Sequence, residues 1–300
     1  MDEYGKRLPL SGFFLKICAF LFMTVDHVGL FLMMYAGANG TLEMAAYVCR
    51  CIGRLAFPLF ALLLAEGIRH SHNRWKYMGR IAIVFAFVTI VQTILIYGTN
   101  GVISGLDGEA DPLTDLLLCG IFLTCLTLPK AKKLYALIPL SVILLAYSLD
   151  VYEAYSVNIS VLWFPKFLRP GYSVYGLLLA TGFYYARPIA YALSKPMCDQ
   201  LGIAKDVFPE TYQGRRTENV IGSLFFFAAT LAFWGISYLA DGIFDPWSMS
   251  VQSYGLLAII LIYFYSGKRG YDSKWFRIAS YSYFPVHLAL IYAIFYLIFH

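Results

Sequence analysis

Residues 13–37 read FFLKICAFLFMTVDHVGLFLMMYAG, and residues 50–67 read RCIGRLAFPLFALLLAEG. Each belongs to an apolar run long enough to cross the ~30 Å hydrocarbon layer of a bilayer as a helix. Each also holds charge where charge is expensive: Asp26 and His27 in the first, Arg50 and Arg54 in the second. An ionised side chain at bilayer depth costs about 2.5–3.5 kcal/mol on insertion scales, so such residues usually face a protein interior and belong to a site.

The rest of the chain follows the same pattern. Of 300 residues, 60% are hydrophobic, 18% aromatic and only 14% charged, against about 25% charged in soluble domains. The expected fold is all-α: a polytopic transmembrane bundle forming a single integral-membrane domain over 1–300. Nine spans are expected, at 13–37, 44–68, 80–98, 113–128, 134–150, 171–192, 219–240, 250–267 and 279–299. The first keeps Asp26 and His27 and lacks a small-residue cleavage site, so it reads as a retained span and not a signal peptide. Pro188 interrupts the sixth. The stretch 193–218 reads as a long surface loop with an interfacial helix, and 151–170 as a re-entrant or interface-lying segment.

Charge sets an expected orientation. Most of the 23 Lys and Arg fall in alternate connections, from Lys6 and Arg7 through 69–80, 130–133, 187–216 and 268–277. The opposite connections carry Lys166 and Arg169 together with the acids Asp107, Glu109, Asp111, Asp150, Glu153, Asp241 and Asp245. By the positive-inside bias this puts the N-terminus in the cytoplasm and the C-terminus outside, in a bacterial cytoplasmic membrane. The net charge of +5 implies contact with anionic lipid at the inner face. No basic–aromatic module for nucleic acid is present. The sequons at Asn39 and Asn158 carry no weight in a bacterial chain. The six cysteines have no zinc spacing and are expected as reduced packing residues, with no metal site.

On a helix, Lys16, Met23, His27, Leu30 and Met34 share a face. Asp26 lies about 100° away from His27, so the two cannot pair and each needs a partner from elsewhere. Gly29 offers close approach to a neighbouring helix or a ligand. Tyr47, Arg50 and Arg54 form one stripe. Pro58 removes the helical partner of the Arg54 carbonyl and kinks the second span there. Arg54 is the expected counter-ion of Asp26. Glu66 and His70 form an i, i+4 pair at the inner mouth, and His287 enters from the last span. Each also has a structural reading: a satisfied core histidine for His27 or His287, a plain ion pair for Arg54, and a solvated helix-end pair for Glu66 with His70.

Between 12 and 82 the motifs Lys16, Asp26-His27-x-Gly29, Gly53-Arg54-x-Ala56-Phe57-Pro58, Glu66-Gly67-x-x-His70, Tyr77 and Arg80 follow one order. Between 250 and 292 a second set follows: Gln252, Gly267-x-Arg269-Gly270, Lys274 and Pro285-x-His287-Leu288. In these, with Tyr175-Gly176 between them, the chain resembles the TraX family, integral-membrane acetylases of the N-terminus of conjugative pilin. It departs from the family at Thr114-Asp115, where an Asn-rich start is expected. The resemblance implies acetyl transfer from acetyl-CoA to a peptide N-terminus or other polar acceptor. The implied catalytic set is His27 as general base with Asp26, Arg54 and His287. Arg54 or a helix terminus would stabilise the oxyanion. Acetyl-CoA would lie on Lys16, Arg50, Glu66, His70, Tyr77 and Arg80, with Arg69 and Lys76 as further cations for its phosphates. A proton-coupled transporter using Asp26, His27 and Arg54 as a relay is the main rival, and a non-catalytic assembly subunit the other.

Overall fold

The computed structural model describes residues 8–35, 39–98, 111–156, 161–240 and 249–299. Lys6, Arg7, Asp107, Glu109, Asn158, Asp241 and Asp245 lie outside them. Eleven helices follow in order: α1 (Gly12–Tyr35), α2 (Gly40–Gly53), α3 (Ala56–His70), α4 (Arg74–Gly98), α5 (Pro112–Leu126), α6 (Leu137–Tyr155), α7 (Ser173–Leu201), α8 (Tyr212–Leu239), α9 (Met249–Gln252), α10 (Ala258–Tyr263) and α11 (Lys274–Phe299). Among the described residues extended pairing is limited to two isolated bridges, Leu10 with Tyr265 and Asp111 with Pro170. The fold is all-helical, and the chain is a membrane protein. Among the described residues six helical stretches are long and apolar enough to cross a bilayer: Gly12–Tyr35, Gly40–His70, Arg74–Ile94, Lys130–Tyr155, Tyr212–Leu239 and Lys274–Ile298. Two more apolar helices, Pro112–Leu126 and Met249–Tyr263, are shorter.

The second long stretch is a broken helix. α2 ends at Gly53 and α3 begins at Ala56, with a turn at Arg54–Leu55. Pro58 has no N–H to give the Arg54 carbonyl, so the helical ladder fails where the sequence anticipates a kink. α2 opens on Asn39, whose side chain accepts from the N–H groups of Thr41 and Leu42, so the first sequon asparagine acts as a helix cap.

α7 differs from expectation. It runs unbroken from 173 to 201 with Pro188 and Pro196 inside it, so the expected loop over 193–218 shrinks to 202–211, between α7 and α8. Each proline removes one ladder bond, and the flanking helical bonds carry the chain through. α7 and α8 then pack side by side. Asp115, where the sequence departs from the expected pattern, bridges two helices. It is buried, and its two carboxylate oxygens accept the N–H groups of Tyr172 (2.9 Å) and Ser173 (2.7 Å) at the start of α7. A residue of α5 thus caps α7 from across the bundle.

The expected interface-lying segment is tied down by Arg169, which is fully buried. It donates to Asp150 (2.8 Å), to both carboxylate oxygens of Glu153 (2.9 and 2.8 Å) and to the Phe164 carbonyl (2.7 Å).

Two contacts set the relation between the chain's two motif regions. The segment before α1 runs beside the segment after α10: Leu10 donates to Phe264, and Ser266 donates to Leu10. The first N–H groups of α1, Gly12 and Phe13, are taken by the carbonyls of Lys268 (2.7 Å) and Arg269 (2.8 Å). Helix starts leave such donors unpaired, and here the Gly267-x-Arg269-Gly270 motif receives them. α1 and α11 then run parallel, with Phe20 stacked on Tyr283, His27 beside His287, and Phe31 against Phe295. Gly12 and Lys274 therefore lie at one end of the bundle, Tyr35 and Phe299 at the other.

Candidate functional site

A cavity of 990 Å³ opens among α1, α3, α4, α5 and α11, near the upper end of the ~300–1,000 Å³ usual for ligand sites. One end gathers the starts of α1, α4 and α11 and the end of α3. It is lined there by Lys16, His70, Asn73, Lys76, Arg80, Arg269 and Arg277. The interior is apolar, with Phe20, Met23, Phe60, Leu64, Val84 and Phe284, and reaches Asp26, His27, Gly53, Ala56 and Phe57. Pro112, Leu113 and Tyr172 line its far part. Just beyond, burial pushes the Asp111 carboxyl up to about 7, against the opposing pull of the Leu113 N–H.

Of the expected α1 face, Lys16, Met23 and His27 line the cavity, while Leu30 and Met34 lie beyond it. From Lys16 to His27 is about 16 Å along the helix. Asp26 and His27 diverge as the helical spacing requires. Asp26 receives Arg50 Nη1 at 2.8 Å and Arg54 Nη2 at 2.9 Å. His27 Nδ1 lies 2.7 Å from His287 Nε2.

Arg54 is a counter-ion of Asp26 as expected, and Arg50 joins it on the same carboxylate. The two arginines are four residues apart, so both reach the same carboxylate as α2 crosses α1. Neither lines the cavity. Gly29 meets α2 directly: a Cβ there would lie 2.8 Å from that of Cys49 and 2.9 Å from the Ala46 carbonyl. The close approach is to a neighbouring helix.

Glu66 and His70 do pair, Oε2 to Nε2 at 3.1 Å, with His70 about half exposed at the mouth. Glu66 itself is buried, which overturns the solvated reading. With Glu218 it is met by Arg69, Arg187 and Arg215. Arg69 Nη1 reaches Glu66 at 2.5 Å and Glu218 at 2.6 Å; Arg187 reaches both at 3.1 Å; Arg215 reaches them at 3.5 and 3.3 Å. The second nitrogen of Arg69 donates to the carbonyls of Phe183 and Tyr184. Arg69 is therefore an interior strut joining α3, α7 and α8, not a cation for phosphates. Glu66 touches the cavity floor from within this network.

Tyr77 and Arg80 line the cavity as expected. Tyr77 packs over Gly67, where a Cβ would lie 2.7 Å from its hydroxyl. Arg269, Arg277 and Asp272 complete the mouth, with Asp272 accepting from Arg269 at 2.7 Å and forming an ion pair with Arg277 at 3.3 Å. Arg277 was legible only as a topology signal. Its place at the site follows from α11 standing parallel to α1. Gln252 and Tyr175 are buried away from the cavity, and Tyr175 shares a hydrogen bond with Thr230 (2.9 Å). Among the described residues no group of three or more His, Cys, Asp or Glu is placed to hold a metal ion, and the six cysteines are free thiols.

A stretch of 78 residues is 36% identical to the probable fimbrial assembly protein FimC, serogroup H1, of Dichelobacter nodosus. The alignment takes in 26% of this chain and 29% of that protein, so the chain spans less than a third of the relative it matches. No solved structure matches. The family model described as TraX protein matches residues 11–186, from the cap of α1 to the middle of α7 and through most of the cavity wall. With more than half of its length so matched, the chain belongs to the TraX family.

Proposed function

We propose that this protein is a membrane-bound acetyltransferase that moves an acetyl group from acetyl-CoA to a peptide N-terminus or another polar acceptor. It would cross a bacterial cytoplasmic membrane nine times, with the cationic mouth toward the cytoplasm and its C-terminus outside. The observation that carries this reading is the cavity itself, which joins a half-buried imidazole at His27 to a mouth rich in Lys and Arg. Those are the needs of a thioester held on a polyphosphate handle: cations for the handle, an apolar passage for the arm, a base at the reacting carbon.

Lys76, Arg80, Arg269 and Arg277 would hold the phosphates, with His70 and Lys16 beside them. The acetyl carbonyl would lie near His27. The acceptor amine attacks the carbonyl carbon, and its proton passes to His27 as the C–N bond forms. The C–S bond then breaks, and the proton passes on to the departing sulfur, giving free CoA and the N-acetylated acceptor. The guanidiniums of Arg50 and Arg54 stand on Asp26 beside Gly53, and the start of α3 at Ala56 lines the same region. Both favour the oxyanion that develops. The relative's name, a probable fimbrial assembly protein, supports the N-terminus of a pilin-type subunit as the acceptor class.

The test is transfer of labelled acetyl from acetyl-CoA to synthetic pilin-type N-terminal peptides by the purified protein in nanodiscs. Transfer that falls about 10²-fold or more in His27→Ala, with unchanged insertion and thermal unfolding, supports the reading. Full transfer by that variant removes His27 as base. Solute uptake by proteoliposomes without acetyl-CoA would replace the reading with transport.

A further inference from the structure

We infer that His287 is a positioning residue that fixes the tautomer of His27, leaving His27 Nε2 as the proton-accepting nitrogen. The inference rests on the acetyltransferase reading for its consequence and on hydrogen-bond geometry for its substance. His287 Nδ1 lies 2.8 Å from the backbone carbonyl of Tyr283. A carbonyl only accepts, so His287 carries its proton on Nδ1. A neutral imidazole has one N–H, so His287 Nε2 is an acceptor. The proton in the 2.7 Å contact between the rings therefore belongs to His27 Nδ1, and the lone pair of His27 falls on Nε2. Nε2 has no partner among the described residues, and His27 lines the cavity.

The surroundings hold this order in place. His287 is buried. The Tyr283 ring stacks on it at 5.0 Å, and the Tyr283 hydroxyl shares a 2.6 Å hydrogen bond with Thr24 of α1. Phe284 stands edge-on to both imidazoles. Two links thus tie α1 to α11 one turn apart, and the second imidazole has no freedom to turn its Nδ1 inward. His27 makes the same Nδ1–H donation to His287 when neutral and when protonated. Taking the acceptor's proton on Nε2 and returning it to the thiolate sulfur then needs no rearrangement of the pair, and His287 keeps its own proton throughout. Little reorganisation at the moment of reaction is what a preorganised site requires.

The test combines a spectroscopic readout with kinetics on the full-length protein in nanodiscs. Imidazole ¹⁵N shifts of ¹⁵N-histidine protein, with the His27 signals assigned through His27→Gln, are expected to show a protonated Nδ1 and a bare Nε2. In His287→Phe the other tautomer should appear, and kcat for acetyl transfer should fall about 10²-fold with little change in KM for acetyl-CoA. In His287→Gln the side-chain carbonyl can accept from His27 Nδ1, so tautomer and rate should largely return. A wild type protonated on Nε2, or a His287→Phe protein whose His27 tautomer is unchanged, overturns the inference. Wild type that shows the expected tautomer but acetylates no acceptor overturns the acetyltransferase reading and leaves the pairing standing.

Discussion

A Cβ placed on Gly53 would fall 2.3 Å from Oδ1 of Asp26 and 2.2 Å from its Cβ. The bare backbone of Gly53 is what lets the Asp26 carboxylate pass under the end of α2 and meet Arg50 and Arg54 together. The ion triad therefore depends on a glycine that makes no polar contact of its own with it. Gly53→Ala is expected to lower stability by about 1–3 kcal/mol through overpacking. Asp26→Asn is expected to cost about 3–5 kcal/mol, because it removes the charge of a carboxylate that two mostly buried guanidiniums share. Thermal unfolding in detergent measures both. An unchanged melting temperature in Asp26→Asn would show that the triad does not hold α1 to α2.

Arg69 and Arg80 belong to the same sequence region yet should behave oppositely. Arg69 is engaged by two buried carboxylates and two carbonyls, whereas Arg80 is exposed at the cavity mouth. Arg69→Ala should lower the melting temperature and leave Glu66 and Glu218 short of a partner, at about 3–5 kcal/mol. Arg80→Ala should leave unfolding unchanged and raise KM for acetyl-CoA about tenfold, the effect of losing one charge-assisted contact of about 1.5 kcal/mol. Parallel melts and saturation curves separate the two.

Much of this architecture was legible because it follows from local rules. Hydropathy marks the six long apolar stretches among the described residues, and the 100° step between Asp26 and His27 foretells that they seek different partners. The failure of the ladder at Arg54 follows from Pro58. The misreadings have a common cause. Glu66 with Arg215 and Glu218 with Arg69 are each separated by 149 positions, and no periodicity links residues so far apart. A buried network therefore looks, in sequence, like cations at a helix end. Arg169 shows the same thing: sequence places it only as a cation in an outward connection, and its burial against Asp150 and Glu153 comes with the fold. Pro188 misleads for another reason, since one missing hydrogen bond does not stop a helix whose neighbours pack along its length.

Asp115 is the cap of a helix to which it does not belong. Both of its oxygens are occupied, by the N–H groups of Tyr172 and Ser173, and Ser173 itself sits at a left-handed φ of 48°. Asp115→Asn replaces one acceptor with an amide donor facing an N–H. The expected loss is about 1–3 kcal/mol, the cost of one buried unsatisfied group. Asp115→Ala should lose more. The readout that isolates the cap is hydrogen exchange at the start of α7, which should quicken there before other helices change.

The proposed orientation can be tested without any activity. Lys76 is exposed at the cavity mouth, while Met44 is exposed near the start of α2, toward the opposite end of the bundle. In a background with its six cysteines replaced by serine or alanine, Lys76→Cys should react with a membrane-impermeant maleimide in inverted vesicles and not in intact spheroplasts. Met44→Cys should show the reverse. Acetyl-CoA should slow labelling of Lys76→Cys and leave Met44→Cys unaffected, since only the first lies against the cavity. The opposite sidedness would place the cationic mouth outside the cytoplasm, where acetyl-CoA is not supplied, and would defeat the proposed reaction even with every helix placed as described.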